Sequence, residues 1–120
     1  MSPEESFHQG VSFLKSGQYD EAISAFSEAI ELNPQYAEAY RNRGLAWANK
    51  GEYDLAISDY TKAVELNPRD GQAYYNRGTV WAEKGALKWG LTDAKKALSL
   101  EPENKTFAGL VTALQAKIAS

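Results

Sequence analysis

The sequence predicts an all-α fold of three consecutive helix-turn-helix units closed by a seventh helix. Three observations carry this expectation. The chain aligns with itself without gaps at a spacing of 34 residues, each half-unit carries apolar residues at helical spacing, and Gly and Pro recur where helices have to stop. The units are 3–36, 37–70 and 71–104. Units one and two share 13 identical residues of 34, and units two and three share 14. Agreement at that level with no insertion identifies a tandem repeat.

Each unit reads as two helices. The first helices are expected near 4–15, 37–49 and 71–83, and the second near 19–32, 53–66 and 87–100. Gly17, Gly51 and Gly85 stand where each first helix must end, and glycine there can take the left-handed conformation of a C-terminal cap. Pro34, Pro68 and Pro102 follow the second helices, where a missing N–H and a fixed φ stop propagation.

Gly10, Gly44 and Gly78 sit mid-helix, where glycine costs about 1 kcal/mol relative to alanine. A cost repeated three times points to a crossing too close for a side chain, with Ala22, Ala56 and Gly90 as the small partners. Phe13, Trp47 and Trp81 on first helices, and Phe26 and Tyr60 on second helices, are expected to fill the space around it. Ala29, Ala63 and Ala97 recur one turn further on.

These residues carry a resemblance. A 34-residue unit with Gly, an aromatic, Ala, an aromatic, Ala and Pro in this order resembles the tetratricopeptide repeat, over residues 3–104. The resemblance implies a right-handed α-α superhelix of three repeats, one domain over 1–120, with first helices lining a concave groove. Residues 105–119 resemble the family's capping helix. There Phe107, Leu110, Val111, Leu114 and Ile118 form one apolar stripe, suited to closing a stack of repeats.

The third repeat departs from the other two in its second helix. Leu87-Lys88 replaces the Tyr-Asp of the earlier units, Ala94 replaces the bulky aromatic, and Trp89 stands where Glu21 and Leu55 do. Terminal repeats meet a cap rather than another repeat. Phe107 is therefore expected beside Ala94. Trp89 either packs back onto the cap, which is the preferred reading, or lies on the convex side as a contact for another copy.

Composition narrows the function classes. The 120 residues contain no Cys, which excludes disulfides, thiolate metal sites and a cysteine nucleophile. Net charge −3 argues against a general nucleic-acid or anionic-membrane surface. Met1-Ser2-Pro3-Glu4-Glu5 is acidic, so no signal peptide is expected; no apolar run has membrane-spanning length, and a cytoplasmic location is expected. His8 is the only histidine, and no glycine-elbow serine or phosphate-loop Lys-Ser/Thr exists. The chain is expected to be no enzyme and to hold no metal or cofactor.

The function expected is protein–protein interaction, with a peptide or helical segment of a partner in the concave groove. First-helix residues pointing away from the small-residue crossing would line it. Phe7, His8 and Val11 come from the first repeat, Glu38, Arg41, Asn42 and Leu45 from the second, and Gln72, Tyr75, Asn76 and Thr79 from the third. Asn42 and Asn76 are equivalent, in shared Asn-Arg-Gly triplets. A side-chain amide offers a donor and an acceptor to an extended backbone whatever its sequence, and the resemblance implies such an asparagine ladder.

Some three-repeat co-chaperones of this family grip a chaperone's C-terminal carboxylate through a clamp of Lys, Asn and Arg. Only Asn42 meets that pattern. Phe7, Val11, Gln72 and Asn76 hold the other places, without the cations that charge-assisted bonds require. Arg43 and Arg77 are open to two readings, groove cations or intramolecular cation–π contacts. The alternative function is self-association. Residues 1–40 hold seven acids and one base while residues 81–120 hold four and six, a gradient suited to end-to-end stacking of a homo-oligomer.

Overall fold

The computed structural model describes residues 1–120. Seven helices and no strand follow in chain order: α1 (Pro3–Lys15), α2 (Tyr19–Leu32), α3 (Ala37–Asn49), α4 (Tyr53–Leu66), α5 (Gly71–Glu83), α6 (Leu87–Leu100) and α7 (Lys105–Ala119). They divide into two compact units, Met1–Asn67 and Pro68–Ser120. No helix is long and apolar enough to cross a membrane.

The ends of these helices follow from local chemistry. Ser2 and Glu5 form a capping box: the Glu5 N–H donates to Ser2 Oγ at 3.1 Å and the Ser2 N–H donates to Glu5 Oε1 at 3.0 Å. Pro3 follows at a position whose N–H is not needed. Those hydrogen bonds from Ser2 hold the Glu5 carboxyl below its ordinary range. The first helices all stop alike. The Gln18, Glu52 and Ala86 N–H groups reach back to the carbonyls of Phe13, Trp47 and Trp81 at 2.9–3.0 Å. This requires positive φ at the preceding residue, and Gly17, Gly51 and Gly85 supply 74°, 78° and 87°. A Cβ at those positions would meet nothing, so glycine is needed for its backbone and not for space.

In the first unit α1 packs on α2, α2 on α3 and α3 on α4. Phe26 and Tyr60 are fully buried, among Ala22, Ala29, Ala39, Ala46, Ala56 and Ala63. A Cβ on Gly10 would lie 2.4 Å from the Phe26 ring, and one on Gly44 would lie 2.8 Å from the Tyr60 ring and 3.2 Å from the Ala56 carbonyl oxygen. The mid-helix glycines thus make room chiefly for the aromatic of the next helix. Burying such a ring returns about 2–3 kcal/mol, more than glycine's helix penalty.

The second unit is α5, α6 and α7, with α6 packed between the other two. Here Ala94 stands where Phe26 and Tyr60 do, so no ring faces Gly78. The helices close instead, and Cβ atoms on Gly78 and Gly90 would come to 3.0 and 2.8 Å of each other's carbonyl oxygens. Asp70 and Asn104 cap α5 and α7 by accepting from the Ala73 and Phe107 N–H groups.

The cap differs from expectation in two particulars. Phe107 is buried, but it stacks on Tyr75 at 5.1 Å and covers Gly71, whereas Val111 and Leu114 group with Ala94. Gly90 has no side chain, and Leu114 takes up that room. Trp89 does not pack on the cap. It is 66% exposed, with its ring 5.0 Å from that of Trp81 on α5.

Candidate peptide-binding faces

The candidate residues lie on first helices, α1 and α3 in the first unit and α5 in the second. In the first unit α1 and α3 touch directly. α1 presents His8, exposed, and Val11, half-buried. Phe7, expected there as an apolar anchor, belongs to the core instead. It is 8% exposed, stacked on Tyr36 at 5.0 Å and tilted against Phe26 at 5.8 Å. The helical pattern places Phe7 on the border between face and core, and the aromatic pair Tyr36 and Phe26 draws it inward.

α3 presents Glu38, exposed, with Arg41, Asn42 and Leu45, all half-buried. The amide of Asn49 is tied to the Leu45 carbonyl at 2.9 Å, as expected of an exposed side chain in a last turn. The side-chain amide of Asn42 makes no hydrogen bond, so both its donor and its acceptor remain open.

In the second unit α5 carries the equivalent positions, in a different state. Asn76 is 8% exposed, and its Oδ1 accepts from Gln72 Nε2 at 2.8 Å. Thr79 Oγ1 donates to the Asn76 carbonyl at 2.7 Å. Tyr75 is half-buried by its stacking on Phe107. The two asparagines that look alike in sequence are therefore unlike in availability.

Arg43 and Arg77 do not serve these faces. Arg43 is held in two parallel hydrogen bonds by Asp59, both at 2.8 Å, and donates a third to Ser27 Oγ at 3.1 Å, which ties α3 to α4 and α2. Arg77 meets Asp93 in the same fork at 2.7 and 2.9 Å. Each guanidinium also lies 5.6 Å from a tyrosine ring, Tyr40 or Tyr74, so the cation–π reading holds with the ion pair added to it. The hydrogen bond to the carboxylate raises both arginines further above their ordinary value.

Sequence reasoning missed these pairs, although a signal existed. Arg and Asp recur 16 residues apart in repeats two and three, and in repeat one both are missing together, replaced by Gln9 and Ala25.

With this geometry in hand, the relatives are informative. A tetratricopeptide repeat family model matches residues 7–66, and a second TPR model matches 48–85. The Arabidopsis OM64 TPR domain is 31% identical, with a TM-score of 0.94 over 97% of this chain and 96% of that one. The chain belongs to the tetratricopeptide repeat family.

The first TPR of Spaghetti (RPAP3), solved bound to the HSP90 peptide SRMEEVD, is similar at 27% identity. Its TM-score is 0.96, over 99% of this chain and 94% of that one. The second TPR domain of human RPAP3, solved with the HSP70 peptide SGPTIEEVD, is also 27% identical, with a TM-score of 0.87 over 95% and 98%. No curated protein matches the sequence.

Proposed function

We propose that this chain is a non-catalytic interaction module that takes an extended peptide segment of a partner protein on the α1–α3 face of its first unit. The observation that carries the reading is Asn42, a half-buried amide with no partner of its own. Half-buried, it is held by its helix and already partly desolvated, so pairing with a peptide backbone costs it little further order. His8, Val11, Glu38, Arg41 and Leu45 supply the contacts around it. In the second unit Gln72, Tyr75, Asn76 and Thr79 are the equivalent face, with Asn76 keeping only its N–H donors open. Family membership and two relatives solved with bound peptides support the reading.

The ligand proposed is not an acidic chaperone tail. Phe7, Val11, Gln72 and Asn76 stand at the places where the clamp has Lys, Asn and Arg, and Phe7 is buried. The first unit also carries eleven acids against five bases, which repels a peptide ending in two glutamates, valine and aspartate.

The test is binding of the full chain to an array of extended peptides that includes one ending in EEVD. Asn42→Ala is expected to weaken the best ligands about five- to tenfold, one hydrogen-bond equivalent, with helicity unchanged. Asn49→Ala on the same helix is expected to leave binding as it was. Equal capture by the Asn42 variant would remove the assigned face, and selective capture of the EEVD peptide would restore the clamp.

A further inference from the structure

The second helices carry a feature the peptide reading does not use. On α2 the exposed residues are Asp20, Glu21, Ser24, Glu28, Glu31 and Leu32: four carboxylates, an apolar end and no cation. On α6 they are Lys88, Trp89, Thr92, Lys95, Lys96 and Ser99: three ammonium groups, an open indole and no carboxylate. The corresponding residues of α4, including Asp54, Leu55, Lys62 and Glu65, are mixed. One helix position thus runs from acidic through mixed to basic along the three repeats.

We propose that the α6 face bearing Lys88, Trp89 and Lys95 docks the α2 face of a second copy of this chain. Charge complementarity selects that occupant. The first unit has eleven acids and five bases, a net −6, and the second has five acids and eight bases, a net +3. Glu21 and Glu28 are seven residues apart, as are Lys88 and Lys95. Seven residues are nearly two turns, so each pair lies on one face about 10.5 Å apart along its axis, and the two pairs match in spacing.

Part of this charge is already engaged, since Asp20 pairs with Lys50, Gln18 donates to Glu21 and Lys96 leans over the Tyr74 ring at 5.9 Å. Glu28 and Glu31 remain on one side, and Lys88 and Lys95 on the other. Trp89, 66% exposed with Trp81 behind it, supplies the apolar anchor, and Leu32, 48% exposed, supplies one on the opposite face.

The two faces differ, so the contact is heterologous and repeats from copy to copy. Each side is a 14-residue helix, about 21 Å long, which makes the contact small and its strength dependent on concentration and salt. First-helix faces take no part, so this inference stands apart from the peptide reading.

Sedimentation of the full chain over a concentration series at low salt tests it. The wild type is expected to gain mass with concentration and to lose that gain at high salt. Lys88→Glu with Lys95→Glu, and separately Glu21→Lys with Glu28→Lys, are each expected to weaken self-association at least about tenfold while keeping helicity. Mixed together, the two variants are expected to co-assemble, because one retains the acidic α2 face and the other the basic α6 face. Trp89→Ala is expected to weaken association without loss of helicity. A wild type that stays monomeric at millimolar concentration overturns the proposal, as does association that survives both reversals or a mixture that fails to co-assemble.

Discussion

Tyr60 and Phe26 occupy the same place in successive repeats and differ by one hydroxyl. That hydroxyl is buried and has no hydrogen-bond partner. Removing it releases the cost of an unpaired polar group, so Tyr60→Phe is expected to raise stability by about 1 kcal/mol in a denaturant titration. Burial, with Asp59 adding to it, pushes the Tyr60 phenol above its ordinary value of 10.0. The folded phenol resists ionisation while the unfolded one titrates near its ordinary value, so the folded state loses stability relative to the unfolded one as pH rises past about 10. Alkaline unfolding of the wild type, followed by circular dichroism, is expected to set in above about pH 10, and Tyr60→Phe is expected to move it upward. Ion pairs at this scale are unequal. Arg43 and Asp59 are 22% and 8% exposed, whereas Lys50 and Asp20 are 35% and 76%. Asp59→Ala strands a largely buried guanidinium and is expected to cost about 2–4 kcal/mol, while Asp20→Ala costs at most about 1 kcal/mol.

Among the elements, the helices were legible and the destinations of their side chains were less so. Every helix lies within a residue of where period, Gly and Pro place it, because caps and stops depend on near neighbours in the chain. The closing helix shows the other side. Its apolar stripe was readable, but Phe107 goes to Tyr75 and Gly71 while Leu114 goes to Gly90, since only the packed neighbours decide which void each side chain meets. Leu114, 2% exposed, is expected to cost about 3 kcal/mol when cut to Ala, whereas Trp89→Ala is expected to cost at most about 1 kcal/mol. Thermal melts of the two variants rank them. At the other end of the chain Glu5, held low by Ser2, favours the fold above its unfolded value of about 4.5. That support is lost as pH falls through its lowered folded value. The protection of the first-turn amides of α1, measured as the exchange rate relative to that of the unstructured chain at the same pH, is expected to fall on acidification in the wild type and to lose this dependence in Glu5→Gln.

At the scale of the whole molecule, the two proposed binding modes rest on different physics and so should separate by salt. The Debye length falls from about 10 Å at about 0.1 M to about 3 Å at about 1 M, which screens exposed charges. Self-association through α2 and α6 is expected to dissolve over that range. Capture of a peptide by the neutral Asn42 amide is expected to change far less, a difference that sedimentation and anisotropy at both salts would record. The same charges bear on the proposed partner. With no cation at the clamp positions and an acidic first unit, a neutral or basic extended segment is expected to bind more tightly than an acidic tail, which the peptide array would record.

Sequence alone determined the repeat, its family, the seven helices and the three left-handed glycine caps, because each depends on periodicity or on neighbours within a few residues. It also showed that Asn42 and Asn76 are equivalent. The structure shows them unlike, since Gln72, one turn earlier on the same helix, bonds Asn76 and no side-chain hydrogen bond holds Asn42. Only the tertiary structure decided the place of Phe7, drawn into the core by Tyr36 and Phe26, and of Arg43 and Arg77, taken by Asp59 and Asp93 across 16 residues. Whether a side chain is free to bind depends on partners distant in the chain, and a helical pattern specifies a face without saying what packs against it.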